Sequence, residues 1–268
     1  MKIGTKIVAA LLTSLTLSAA TAFAAPRPVS EQIQILTQTA NSGQEGGWFV
    51  SPEKDANWNR WFYSVTDLDQ DGRLEIFKAK RRGENSAPEL RCEELLDQGG
   101  RVWGLFFVGG SDVPDIMTSE AATAPAVFCE AAENRYHYIF LSSVRADEEA
   151  WDFIDTKVAL TLSGDLQIEE LALRKGKLPA PGSDWSERQF FLPAWVGAAA
   201  EGAPAGPPEE ISAERYNNIA KERFPGARES FAAISWYRAE EIQRAIGLAE
   251  LARTLENSYR AFADSGNP

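Results

Sequence analysis

The chain has 268 residues, 44% of them hydrophobic and 25% charged, with 27 basic side chains against 39 acidic ones and a net charge of −12. That balance excludes a protein that holds nucleic acid or anionic lipid by surface charge, and it favours divalent cations or basic partners. The length is enough for a sizeable core, so one domain with an appended segment is the expected organisation.

The first residues read MKIGTKIVAALLTSLTLSAATAFAAP. Lys2 and Lys6 precede an apolar run from Ile7 to about Leu17, and Ala22-Phe23-Ala24 offers an A-x-A cleavage site, so residues 1–24 read as a secretory signal peptide. The run is shorter than the ~20 helical residues a bilayer requires, and no cysteine follows it for a lipid anchor. The expectation is an exported protein with no membrane span, periplasmic or secreted. Cleavage removes two basic residues and no acidic one, which takes the net charge to about −14.

A short helix is expected next, capped by Ser30, running through Ile33, Ile35 and Leu36, and ending at Asn41-Ser42-Gly43. Residues 25–196 then read as a β-rich domain. The stretch 58–65 is aromatic and β-branched and runs into an acidic turn, which Leu74, Ile76 and Phe77 leave as a second strand. Further strands are predicted over 102–108, 126–130 and 136–142. Strands over 157–162 and 166–171 flank Ser163-Gly164-Asp165, which has the chemistry of a tight hairpin. Residues 197–210, GAAAEGAPAGPPEE, hold few large apolar groups and predict a linker or surface loop.

Residues 211–268 read as a helical C-terminal segment. Ile211 and Tyr216 occupy the two positions of a hydrophobic staple around a capping Ser212, and Pro225-Gly226 stops the stripe of Tyr216, Ile219, Ala220 and Phe224. Leu248, Leu251, Ala252, Leu255, Tyr259 and Phe262 form a second stripe. The fold class is α+β, an antiparallel sheet with one metal-binding hairpin. In an oxidising compartment Cys92 and Cys129 predict one disulfide, a gain of roughly 3–4 kcal/mol on the chain-entropy argument.

The acidic turn, TDLDQDGRLEIF over Thr66 to Phe77, carries the sharpest chemistry. Asp67, Asp69 and Asp71 occupy positions 1, 3 and 5 of a D-x-D-x-D-G pattern, Gly72 allows the turn at position 6, and Arg73 offers its carbonyl at position 7 with its side chain outward. Leu74 points to the core and Glu75 adds a carboxylate at position 9. Alternating hard oxygen ligands suit Ca2+, which takes six to eight of them. A plain Asp-Gly hairpin accounts for Asp71 and Gly72 alone; it leaves the mutual repulsion of the other acids unexplained.

Over its first nine positions the loop resembles the EF-hand calcium loop, but position 12 is Lys78 where that family has a bidentate acid. The flanking strands make it similar to the calcium-binding β-hairpins of FG-GAP and VCBS repeats, and a single copy implies only the hairpin and not their propeller. Residues 65–76 also resemble a phrase of secreted bacterial proteins in which strands and a helical tail follow. The resemblance implies calcium bound through Asp67, Asp69, Asp71, Arg73 and Glu75.

Catalysis finds less support. His137 is the only histidine, Ser111 lacks the G-x-S-x-G turn that exposes a nucleophile, and zinc-ligand spacing is absent. Glu93-Glu94, Glu148-Glu149 and Glu169-Glu170 serve as a glycosidase pair only if the fold gathers two of them. Trp48, Trp58 and Trp61 could stack on sugars or fill the core. The sequence therefore points to an exported calcium-binding protein with a binding or scaffolding role. Two alternatives stay open: a secreted hydrolase of wall or dietary polymers, and a carbohydrate-binding module.

Overall fold

The computed structural model describes residues 26–40, 47–84, 86–94, 106–109, 114–119, 122–146, 151–163, 165–177, 188–193 and 208–265. The expected signal peptide, Ser111, Glu148-Glu149, Gly164 and most of the expected linker lie outside them. Helix α1 (Val29–Thr39) leads to β1 (Trp61–Thr66), β2 (Glu75–Lys80), β3 (Glu89–Glu94), β4 (Phe106–Gly109), β5 (Ala126–Glu130), β6 (Arg135–Arg145), β7 (Phe153–Ser163) and β8 (Asp165–Gly176). Then follow β9 (Arg188–Leu192), β10 (Glu209–Ile211), α2 (Ala213–Arg223), β11 (Arg228–Phe231), β12 (Tyr237–Arg238), α3 (Ala239–Gly247) and α4 (Leu251–Ala263).

Strand alternation sorts these elements into layers. The strands form two antiparallel sheets, one in the order β12-β1-β2-β3-β4 and the other β10-β9-β8-β7-β6-β5-β11. Along β2, Phe77 and Ala79 meet Val127, Tyr138, Phe140 and Leu160 of the second sheet in a core between the two. On the outer face of the first sheet, Trp61, Tyr63, Val65 and Ile76 pack with Leu36 of α1, Ile242 of α3 and Leu255 of α4. On the outer face of the second, Ile139, Ala159 and Leu171 pack under Tyr216, Ile219 and Phe224 at α2. The result is a mixed α+β sandwich with helices on both outsides.

The predicted hairpin of β7 and β8 is present and longer than expected, paired from Phe153↔Gly176 to Ser163↔Asp165. Ser212 caps α2, accepting from Arg215 N at 3.1 Å, and Ile211 and Tyr216 are buried together as a staple requires. Other details differ. Pro28, not Ser30, precedes the first helical turn, and the N–H groups of Glu31 and Gln32 donate to its carbonyl. Leu248 ends α3 and is 62% exposed, so the last stripe begins at Leu251. The end of the expected linker, Glu209 and Glu210, pairs with β9.

The segment 211–268 is not purely helical, since it supplies the edge strands β11 and β12 to opposite sheets. β12 pairs with only Phe62 and Tyr63 of β1. Beyond it the Ser258 hydroxyl of α4 accepts from Val65 N at 3.0 Å and donates to Ser235 O at 3.0 Å, so a helix side chain finishes the strand edge.

Cys92 and Cys129 do not form the expected disulfide; both are buried free thiols. Cys92 lies on β3 and Cys129 on β5, facing each other's sheets across the central core. Burial pushes the Cys92 thiol well above its ordinary range, so the thiolate from which a disulfide forms is disfavoured there. The two sulfurs act as small apolar groups.

Candidate metal centre

Residues 67–74 join β1 to β2, and two buried leucines set the shape of the loop. Leu68 and Leu74 are both 0% exposed, but Leu68 enters the core between the sheets and Leu74 the core under the helices. The chain between them must reverse sharply. Gln70 and Gly72 do this with φ of 55° and 87°. A Cβ on Gly72 would stand 2.8 Å from Pro26 Cγ, so glycine is needed there for both angle and space.

The loop backbone is held from two sides. Gln32 of α1, 1% exposed, donates to Gly72 O at 2.9 Å and accepts from Leu74 N at 2.8 Å. From the other sheet, the Tyr138 hydroxyl donates to Leu68 O at 2.9 Å. These contacts hold the loop backbone at Leu68, Gly72 and Leu74 and leave its carboxylates to one another.

The reversal brings Asp67, Asp69 and Asp71 together, one carboxylate oxygen from each lying within 4.8 Å of the others, a group that could hold a metal ion. Asp67 accepts from Gly72 N at 3.2 Å, Asp69 from Asp71 N at 3.3 Å, and Asp71 from Arg73 N at 2.7 Å. Glu75, the first residue of β2, is 0% exposed. Its Oε2 accepts from the Thr66 hydroxyl at 3.1 Å and Leu68 N at 2.9 Å, while Oε1 is buried without a hydrogen-bond partner. Leaving such an atom unsatisfied costs ~1–3 kcal/mol, and more when it is charged.

The electrostatics agree. Burial, then the charge of Asp69, pushes the Asp67 carboxyl up to about 7. Burial and the neighbouring Asp71 raise Asp69, and burial followed by the charge of Asp67 holds Glu75 well above the usual carboxylate range. All three bind protons more tightly folded than unfolded, so the stability they contribute is full at acid pH and is lost as pH rises through their folded values. In chelator the melting temperature is therefore expected to fall between about pH 4 and pH 7. A chelated protein whose melting point stays level or climbs over that window would contradict this account.

Two features of the site differ from expectation or escaped it. The Arg73 side chain does not point outward; it is 16% exposed and pairs with Asp71 and, at 3.6 Å, with Glu94 of β3. Glu94, named from the sequence only within an acid pair, proves a neighbour of the loop through Arg73, which no motif spacing marks. Burial, then Asp71 and Asp69, pushes its carboxyl up to about 7. Lys78, at position 12, lies on the opposite face of β2 from Glu75, where it donates to Trp48 O at 3.0 Å and pairs with Glu93.

The other candidates are bound into the framework. His137 is 4% exposed, with Nδ1 2.7 Å from Thr161 Oγ1, Nε2 3.0 Å from Glu130, and its ring stacked on Phe224. Trp48 and Trp61 are each 1% exposed and donate to Leu36 O and Asp55, while Trp58 is half-buried against the same core. A cleft of about 420 Å³ lies beside Ser143, Phe153, Arg174 and Arg188; the carboxylate lining it is Asp155, which Arg174 holds at 2.8 Å. It contains no acid pair of the glycosidase kind among the described residues. Of the remaining acid pairs, Glu169 bonds Arg223 at 2.7 Å.

What the fold and site define is a two-sheet α+β protein with a rigid acidic loop at the β1–β2 connection. Comparison with protein-family models, with curated proteins and with solved structures finds no match to this chain.

Proposed function

We propose that this is an exported calcium-binding protein in which the ion is structural, locking the β1–β2 hairpin of a binding or scaffolding protein. The observation that carries the reading is Glu75 Oε1, a buried carboxylate oxygen with no hydrogen-bond partner on a residue that feels the charges of Asp67 and Asp69, two of the three clustered aspartates. Asp67, Asp69, Asp71 and Glu75 would contribute carboxylate oxygens and Arg73 its carbonyl. An all-oxygen, many-membered set favours Ca2+ over Mg2+, and the missing acid at Lys78 sets a modest affinity of ~10⁻⁴ to 10⁻³ M, in the range of extracellular modules. Three carboxylates in a partly dry site repel each other until a divalent ion enters, so uptake stabilises the fold.

The test is thermal melting in calcium and in chelator, comparing the parent with Asp69→Ala. Calcium is expected to raise the melting temperature of the parent and leave the variant nearly unmoved. A parent indifferent to 10 mM calcium, or a variant that responds as the parent does, would refute the reading.

A further inference from the structure

In a loop that continues into a helix, a twelfth residue curls back to close the coordination shell. Here the chain leaves as β2. A strand rises ~3.3 Å per residue, so position 78 lies about 10 Å beyond Glu75, on the other face. The nearest acid in register is on the next strand: Glu94 is the cross-strand partner of Glu75 in the β2–β3 ladder. Residues so opposed share one face with Cβ atoms about 4.5–5.5 Å apart.

One nitrogen connects the two acidic groups. Arg73 Nη1 lies 3.6 Å from Glu94 Oε1 and also touches Asp71 Oδ2, so a positive centre placed there meets a loop carboxylate and a strand carboxylate together. The guanidinium leaves Glu75 Oε1 unsatisfied. It pairs with Asp71 and Glu94 and makes no hydrogen bond to that oxygen.

Resting on the calcium reading, the geometry points to Arg73 as a built-in counter-cation that calcium displaces, with Glu94 then closing the coordination from the neighbouring strand. A planar guanidinium neutralises two outer carboxylates but cannot present the many-sided shell that a spherical dication can. Calcium binding is therefore an exchange of cations, and the hold on Arg73 lowers its affinity further.

The exchange predicts an unusual sign. Isothermal titration of the exported chain with CaCl2 should show Arg73→Gln binding calcium about three- to tenfold more tightly than the parent, the equivalent of one partly buried ion pair. The same variant should melt lower than the parent in chelator. Glu94→Gln should bind roughly tenfold more weakly, as the loss of one charged ligand requires. Should Glu94→Gln fail to fold, Glu94→Asp keeps the charge with a shorter reach and is also expected to weaken binding. If the parent binds calcium but Arg73→Gln binds no tighter, or if shortening or neutralising Glu94 changes nothing, the exchange is overturned and the calcium reading stands. If the parent binds none, both fall.

Discussion

Glu75→Gln is expected to leave the calcium-free protein at least as stable as the parent while abolishing its stabilisation by calcium. The amide has the carboxylate's shape and keeps an oxygen to accept from Thr66 and from Leu68 N. It removes a charge that burial and Asp67 both disfavour. For the parent, 10 mM calcium against a dissociation constant of 10⁻⁴ to 10⁻³ M contributes about 1.4–2.7 kcal/mol. In a chain of this size that corresponds to roughly 3–10 °C in melting temperature. Scanning calorimetry with and without calcium reads both halves of the result. A variant that keeps the parent's rise would remove Glu75 from the ligand set.

Phe77→Ala carries the largest expected loss of stability, about 3–5 kcal/mol. Phe77 is 0% exposed, pairs across the ladder with Cys92, and lies 5.0 Å from the Trp236 ring and 6.4 Å from that of Phe140. Its removal opens a cavity where the two sheets meet, and neither sheet can close over it without shifting the other. Denaturant titration measures the loss. The thiols give an independent readout: in the parent, Cys92 and Cys129 should react with a thiol reagent only after unfolding, whereas in the variant they should react under native conditions. A loss below ~1 kcal/mol, or a parent with no free thiols after denaturation, would contradict the packing described.

The acidic loop was legible because its information is local. Its charges, its glycine and Leu74 fall within nine residues, where spacing alone marks them; that Leu68 enters the other core carries no such mark. Strand β5 was legible to the residue, since the apolar run AVFC breaks off at Glu130. Glu94, Gln32 and Tyr138 were not, because each reaches the loop across a sheet or from a separate element, where no spacing rule applies. Helix α3 was hidden by Leu248, whose spacing matched the last stripe although its side chain faces water. The cysteines carry no such local mark: export argues for a disulfide, whereas the two thiols are buried and free in the core between the sheets, a placement that only the tertiary structure supplies.

The edge strands β11 and β12 come from the same short stretch of chain, yet they finish opposite sheets. Until both have been made, β1 and β5 each present an open row of amide and carbonyl groups, and Val65 lacks its partner on α4. Pairings this distant close slowly, because the entropy of a large loop is lost before any contact offsets it. A polypeptide built this way stays unfinished until residues 228–238 have been made. A truncation that ends before residue 228 is left with two sticky borders, which makes aggregation, rather than a smaller folded unit, its fate.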